Sequence, residues 1–212
     1  MDEKVEIREP ADSELVRRGR AGDREALGEL LGRYEKGLYG FVSRFVRGAA
    51  EPADVYQEVV LRAIENIDRF NPRLSFRTWL FTLAANHCKN ILRSRQQRGK
   101  FHAASVRRLD DDREEDSVQA APDGSPGPDL SAENAEFMRA LNGELMNLPR
   151  PQREVFILRE FNGFSFREIS SILKVPEATA RSRMFLAVEH LRVRLREYSG
   201  RPASYSPAGR MR

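Results

Sequence analysis

Between Leu148 and Leu195 the apolar residues fall into two short helical stretches, a tight turn and one longer helical stretch. That order leaves few folds open. Ser165 followed by Glu168 is a capping box, which satisfies the first free N–H groups of a helix and so marks its start. Ile169, Ile172 and Leu173 give that helix one apolar face. Lys174-Val175-Pro176-Glu177 then turns the chain, and Pro176 is preset for a helix start. On the next helix Ala180, Met184, Ala187, Val188, Leu191 and Leu195 fall on one side, and Arg181, Ser182 and Phe185 on the other. This is the pattern of a helix-turn-helix, whose second helix offers its N-terminal residues to base edges in a major groove. Arg pairs bidentately with guanine, and an aromatic ring packs on a thymine methyl. Arg192, Arg194 and Arg196 are better placed for phosphates, which give affinity without sequence. An ordinary hairpin with a solvated basic face would share any one of these residues; the combination of box, turn and split face favours DNA.

The rest of the chain is also helical in pattern. Leu27, Leu30, Leu31 and Tyr34 recur at helical spacing, continued by Leu38, Phe41, Val42 and Phe45. Gly48-Ala49-Ala50-Glu51-Pro52 breaks the run, and Pro52 suits the first turn of a new helix reaching about Ile67. Ser75 can cap a further helix from Phe76 to about Arg95. From Gly99 the character changes to an acidic run, Asp110 to Asp116, and then Pro122-Asp123-Gly124-Ser125-Pro126-Gly127-Pro128. Such a stretch buries too little apolar surface to offset its chain entropy. No strand-like alternation of useful length occurs. The expected fold is all-α: a loose lead (1–12), a helical domain (13–98), a flexible linker (99–131), a second helical domain carrying the helix-turn-helix (132–198) and a disordered tail (199–212).

Composition narrows the function classes. The chain is 40% hydrophobic and 32% charged, with a formal net charge of +4, so local clustering matters more than the sum. One cysteine, Cys88, excludes an internal disulfide and a thiolate cluster for zinc. No apolar run is long enough to span a bilayer, which takes about 20 residues. The acidic, mixed segment Met1-Asp2-Glu3-Lys4-Val5 is not a signal sequence. A cytoplasmic protein without membrane contact of its own is expected. His87, His102 and His190 are far apart, and no Gly-rich phosphate loop, HExxH pattern or nucleophile elbow is present. The chain therefore reads as a non-enzyme with no cofactor and no metal.

Two further helix faces carry chemistry. On the helix from Phe76, Leu80, Leu83, Ala84, His87 and Ile91 form an apolar stripe, on which His87 reads as a packed histidine and Cys88 as a small buried hydrophobe. The opposite stripe, Thr82, Asn86, Lys89, Asn90 and Arg93, offers amides, a hydroxyl and cations but no carboxylate. Asn can bond base edges, and Lys and Arg pair with phosphate; a solvated polar face is the plain alternative. The helix from Pro52 places Asp54, Gln57, Glu58 and Arg62 on one side, opposite Val55, Val59 and Ala63. An acidic-amide face would repel DNA and suits a protein partner; a solubilising surface is the plain alternative.

Taken together these residues resemble the sigma-70 superfamily, specifically its extracytoplasmic-function (ECF) sigma factors, over roughly 13–97 and 132–197. Asp54-Val55-Tyr56-Gln57-Glu58-Val59 is similar to region 2.2. The resemblance implies that Asp54, Gln57, Glu58 and Arg62 dock on the clamp helices of the β′ subunit of core RNA polymerase. Ser75 to Asn86 is similar to regions 2.3 and 2.4, which implies −10 DNA binding by Phe76, Thr82, Asn86, Lys89, Asn90 and Arg93. Leu148-Pro149, Gln152-Arg153, Phe156, Glu168-Ile169 and Thr179 to Arg183 are similar to region 4. That implies contact with the polymerase β flap, and −35 DNA binding by Arg181, Ser182, Arg183 and Phe185. By the same resemblance an anti-sigma factor would restrain the protein, and the acidic run would follow the polymerase's RNA-exit path; a plain solvated linker is the alternative for that run. Three positions depart from the family's pattern: Tyr56 stands where small residues are usual, Ala180 replaces a usual Val, and Leu186 stands where Arg is frequent, so a family DNA contact is missing there. A polymerase-independent helix-turn-helix regulator, which usually binds symmetric half-sites as a dimer, is the alternative.

Overall fold

The computed structural model describes residues 10–106 and 132–196, and among these every regular element is helical. The expected lead before residue 10, the linker from 107 with its acidic run, and the tail from 197 lie outside the described residues. The first group is α1 (Asp12–Arg20), α2 (Arg24–Gly32), α3 (Glu35–Val46), α4 (Pro52–Glu65) and α5 (Phe76–Val106). The second is α6 (Ala132–Asn147), α7 (Arg150–Phe156), α8 (Phe166–Leu173) and α9 (Glu177–Arg194), with a π-helical turn at Ile157–Phe161 between α7 and α8.

Local chemistry sets the helix starts. Asp23 caps α2 by accepting from the Ala26 N–H at 3.0 Å. Pro52 occupies the first turn of α4, where no N–H is needed. Ser75 Oγ accepts from the Thr78 N–H at 3.2 Å and opens α5. Gly19 is required by packing: a Cβ there would stand 2.4 Å from Leu27 Cδ2, so α1 and α2 approach only without a side chain. Helix α5 runs beyond both Arg95 and the domain boundary expected at 98. Apart from Gly99, which costs a helix about 1 kcal/mol, its extension contains no strong breaker.

The two expected helical domains are present and also touch. Leu80 and Ala84 of α5 meet Phe41, Val42 and Phe45 of α3 and Val55, Val59 and Ala63 of α4 in one core, as the apolar stripe predicts. However, Phe81, Ala85 and Cys88, a third of a turn away, are equally buried, because α8 packs across them. One core cluster therefore continues through Ile157, Leu158, Phe164, Ile169, Ile172 and Ala180. The two domains therefore meet across this core as well as being joined in sequence by the linker segment. A smaller cluster, Leu141, Leu145, Leu148, Phe156, Ala187 and Leu191, ties α6, α7 and α9 together.

The seam between the domains is specific. Phe81 and Phe164 meet edge to face with ring centroids 4.9 Å apart. The Arg77 guanidinium lies 3.9 Å above the Phe164 ring and donates to the Asn162 carbonyl. Asn162 Nδ2 donates to the Gly37 carbonyl at 3.0 Å. Arg44 covers the Phe161 ring at 4.1 Å, and its Nε donates to Asn142 Oδ1 at 3.2 Å.

Candidate nucleic-acid interfaces

The helix-turn-helix is formed by α8 and α9. In the capping box Ser165 Oγ accepts from the Glu168 N–H at 3.2 Å, while Glu168 Oε2 accepts from the Ser165 N–H at 2.7 Å. Lys174 ends α8 in the left-handed region at φ 56°. Such a backbone is uncommon for a residue with a Cβ, and here it is pinned from both sides. The Val175 N–H donates to the Ser170 carbonyl at 3.2 Å, and Ser170 Oγ donates to the Val175 carbonyl at 2.6 Å. Pro176 then precedes α9, and buried Ile169, Ile172 and Ala180 fix the two helices against each other.

Arg181, Ser182 and Phe185 stand exposed on the outer face of α9, with Phe185 65% exposed. Arg181 is held in place by an ion pair with Glu177 and by the Phe166 ring, 4.7 Å from its guanidinium. Arg183 is half-buried, beside that face rather than on it. Val188, expected on the core side, is 41% exposed. A step of about 100° from buried Ala187 carries it out of the seam.

On α5, Asn86, Asn90 and Arg93 share an exposed face. Two expected members of that face do not present themselves. The Thr82 hydroxyl donates to the Thr78 carbonyl at 2.7 Å within its own helix. Lys89 is turned towards the second domain, where it lies 3.5 Å from Glu154, a buried carboxylate that also accepts from Arg150 Nε at 2.7 Å. Phe76 corrects the sequence reading more sharply. It is 3% exposed and packs with Tyr34, Phe70 and Trp79, ring centroids 5.5 to 5.8 Å away, so in this arrangement it is a core side chain. The loop before it presents Arg73 and Leu74 instead, Leu74 being 62% exposed. Neither is among the expected −10 residues, although Leu74 has no partner in the helical apolar period.

On α4, Asp54, Gln57, Glu58 and Arg62 are all exposed. The same surface carries Leu61 and Ile64, 58% and 40% exposed, which were missed. Their signal was their phase, since they fall outside the Val55-Val59-Ala63 stripe. Tyr56 leans away from this face, edge-on to Tyr39 with centroids 5.8 Å apart.

His87 links α4 and α5. It is buried, with Nε2 2.9 Å from Glu58 Oε2 but not aligned as a hydrogen bond. Burial, and then the Arg62 charge, depress its pKa below the ordinary 6.5; Glu58 offsets this only in part. Below pH about 6.5 the unfolded chain takes up this proton first. His87 should therefore lower stability as pH falls from there towards its folded pKa. Urea titrations between pH 7 and 5 should show this loss, and His87→Gln should reduce it. Cys88 is also buried, its thiol pushed up to about 12 by burial, so it is an inert packing group. Among the described residues no three His, Cys, Asp or Glu side chains gather in a metal-binding group, and no helix is long and apolar enough to cross a membrane.

Comparison with known proteins gives the family. Residues 30–98 match the family model of sigma-70 region 2, and residues 138–191 match that of sigma-70 region 4. The chain is 31% identical over 178 residues to the RNA polymerase sigma-H factor of Pseudomonas aeruginosa, covering 84% of this chain and 90% of that one. It is 32% identical to the ECF RNA polymerase sigma-E factor of Haemophilus influenzae, covering 84% and 92%. Two solved structures share the fold at 22% identity. CnrH, in complex with the cytosolic domain of CnrY, has a TM-score of 0.63 over 89% of this chain and 99% of its own. The sigma factor RpoE of Bartonella quintana, in complex with the anti-sigma factor NepR, has 0.59 over 80% and 95%. The chain belongs to the sigma-70 family, in its extracytoplasmic-function group.

Proposed function

We propose that this chain joins core RNA polymerase through α4 and directs promoter-specific initiation, reading the −10 element with α5 and the −35 element with α9. One observation carries the reading. The exposed acidic-amide face of α4, with exposed Leu61 and Ile64 on the same side of the helix, is distinct from two polar, DNA-compatible faces, Asn86-Asn90-Arg93 on α5 and Arg181-Ser182-Phe185 on α9. A carboxylate face has no use against phosphates, whereas mixed apolar and charged residues suit the core and rim of a protein interface. The protein then contributes recognition and no bond chemistry of its own. Bases leaving the stack at −10 cost a few kcal/mol each, and the amides and cations of α5, with the loop at Arg73 and Leu74, are placed to recover part of that. Lys89 joins them only when it leaves Glu154. The linker then sets the reach between the elements, and tethering raises the effective concentration of the second contact.

The Bartonella complex supports proposing an anti-sigma factor as regulator. A site in the cytoplasm, where core polymerase acts, follows from the same reading. The test is run-off transcription with purified core polymerase, beside a footprint of the chain alone. The proposal expects defined transcripts only when both proteins are present. A strong palindromic footprint by the chain alone, with no transcripts, would favour the polymerase-independent regulator instead.

A further inference from the structure

Phe185 and Leu186 are adjacent on the outer face of α9 and are 65% and 48% exposed. Neither belongs to a core cluster. Contiguous exposed apolar surface is a feature of contact sites. The neighbouring groups suggest what covers this one. Ser182 lies one turn before Leu186 on the same strip. Arg181 is exposed beside Phe185, and Lys174 stands exposed in the turn at the N-terminal end of α9. Cations around an apolar centre complement a duplex, whose phosphates rim a groove holding one apolar group, the thymine C5-methyl. Two carboxylates border the pair: Glu177 is paired with Arg181, and Glu189 lies 3.7 Å from Arg192.

We propose that Leu186 is a specificity residue, forming with Phe185 an apolar reader that selects thymine methyl groups in the −35 element. The position that looked like a lost arginine contact is then a changed one. Arg at this place would select guanine, whereas Leu selects an A·T pair by burying the methyl. The inference rests on the proposed −35 role of α9 and adds the base class that this chain reads there.

The experiment uses the full chain with core polymerase. Promoter fragments randomised at −35 are selected for holoenzyme binding, and each enriched thymine is then replaced singly by deoxyuridine, which deletes only the methyl. At one or more positions uracil should weaken wild-type binding about fourfold, the worth of one buried apolar carbon. Leu186→Ala should lose that sensitivity at one position while keeping any uracil effect owed to Phe185. Leu186→Arg should shift the preferred base there towards guanine. Leu186 is exposed, so all variants should fold. If −35 sequences are enriched but binding ignores uracil, or if Leu186→Ala keeps every uracil effect, the inference is wrong while the −35 reading stands. If no −35 sequence is enriched at all, the reading of α9 fails and the inference with it.

Discussion

Phe164→Ala is expected to destabilise the protein by about 3–5 kcal/mol, the usual cost of removing a fully buried phenylalanine. It should also turn one cooperative unfolding transition into two. The magnitude follows from position. Phe164 is fully buried, packs edge-on against Phe81 and lies under Arg77. Truncation leaves a cavity at the centre of the seam and uncovers apolar surface on both helical groups. Thermal unfolding followed by helical signal and by Trp79 fluorescence should coincide in the wild type and separate in the variant. Two separated transitions already present in the wild type would mean that the domains do not share a core in solution.

A second large effect is expected on polymerase binding. Asp54→Ala combined with Glu58→Ala should weaken association with core polymerase about thirtyfold or more, the cost typical of truncating charges buried in an interface. Both side chains are exposed in the free chain, so the fold should survive, although Glu58 also faces His87. Competition against the wild-type chain for core enzyme measures the loss, with circular dichroism as the check on folding. Unchanged affinity would remove α4 as the docking surface.

Much of this structure is legible in the sequence, for a definable reason. Helix starts depend on residues close in the chain, and Pro52, Ser75 and the Ser165–Glu168 box are read as such. The core-facing stripes of α4 and α5 follow from the 3.6-residue period. The seam does not. Phe81, Ala85 and Cys88 form a second apolar face on α5, and nothing in the period says that Phe164 and Ile169 will cover it. The same blind spot explains the site residues that moved. Lys89 reads as solvent-facing until Glu154, far away in sequence, is placed beside it. Phe76 reads as a loop-edge aromatic until Tyr34, Phe70 and Trp79 close around it. Leu61, Leu74 and Leu186 show the reverse case, apolar residues out of phase with any core.

The central claim is that one chain reads two promoter elements with two separate surfaces. It is tested most directly by run-off transcription from promoters altered at −10 or at −35, with holoenzymes carrying the wild-type chain, Arg181→Ala or Asn86→Ala. Arg181→Ala should lose discrimination at −35 and keep it at −10, and Asn86→Ala should do the reverse, with core binding intact in both. If either variant loses discrimination at both elements while still binding core polymerase, or if neither changes it at all, the assignment of α5 to −10 and α9 to −35 is wrong.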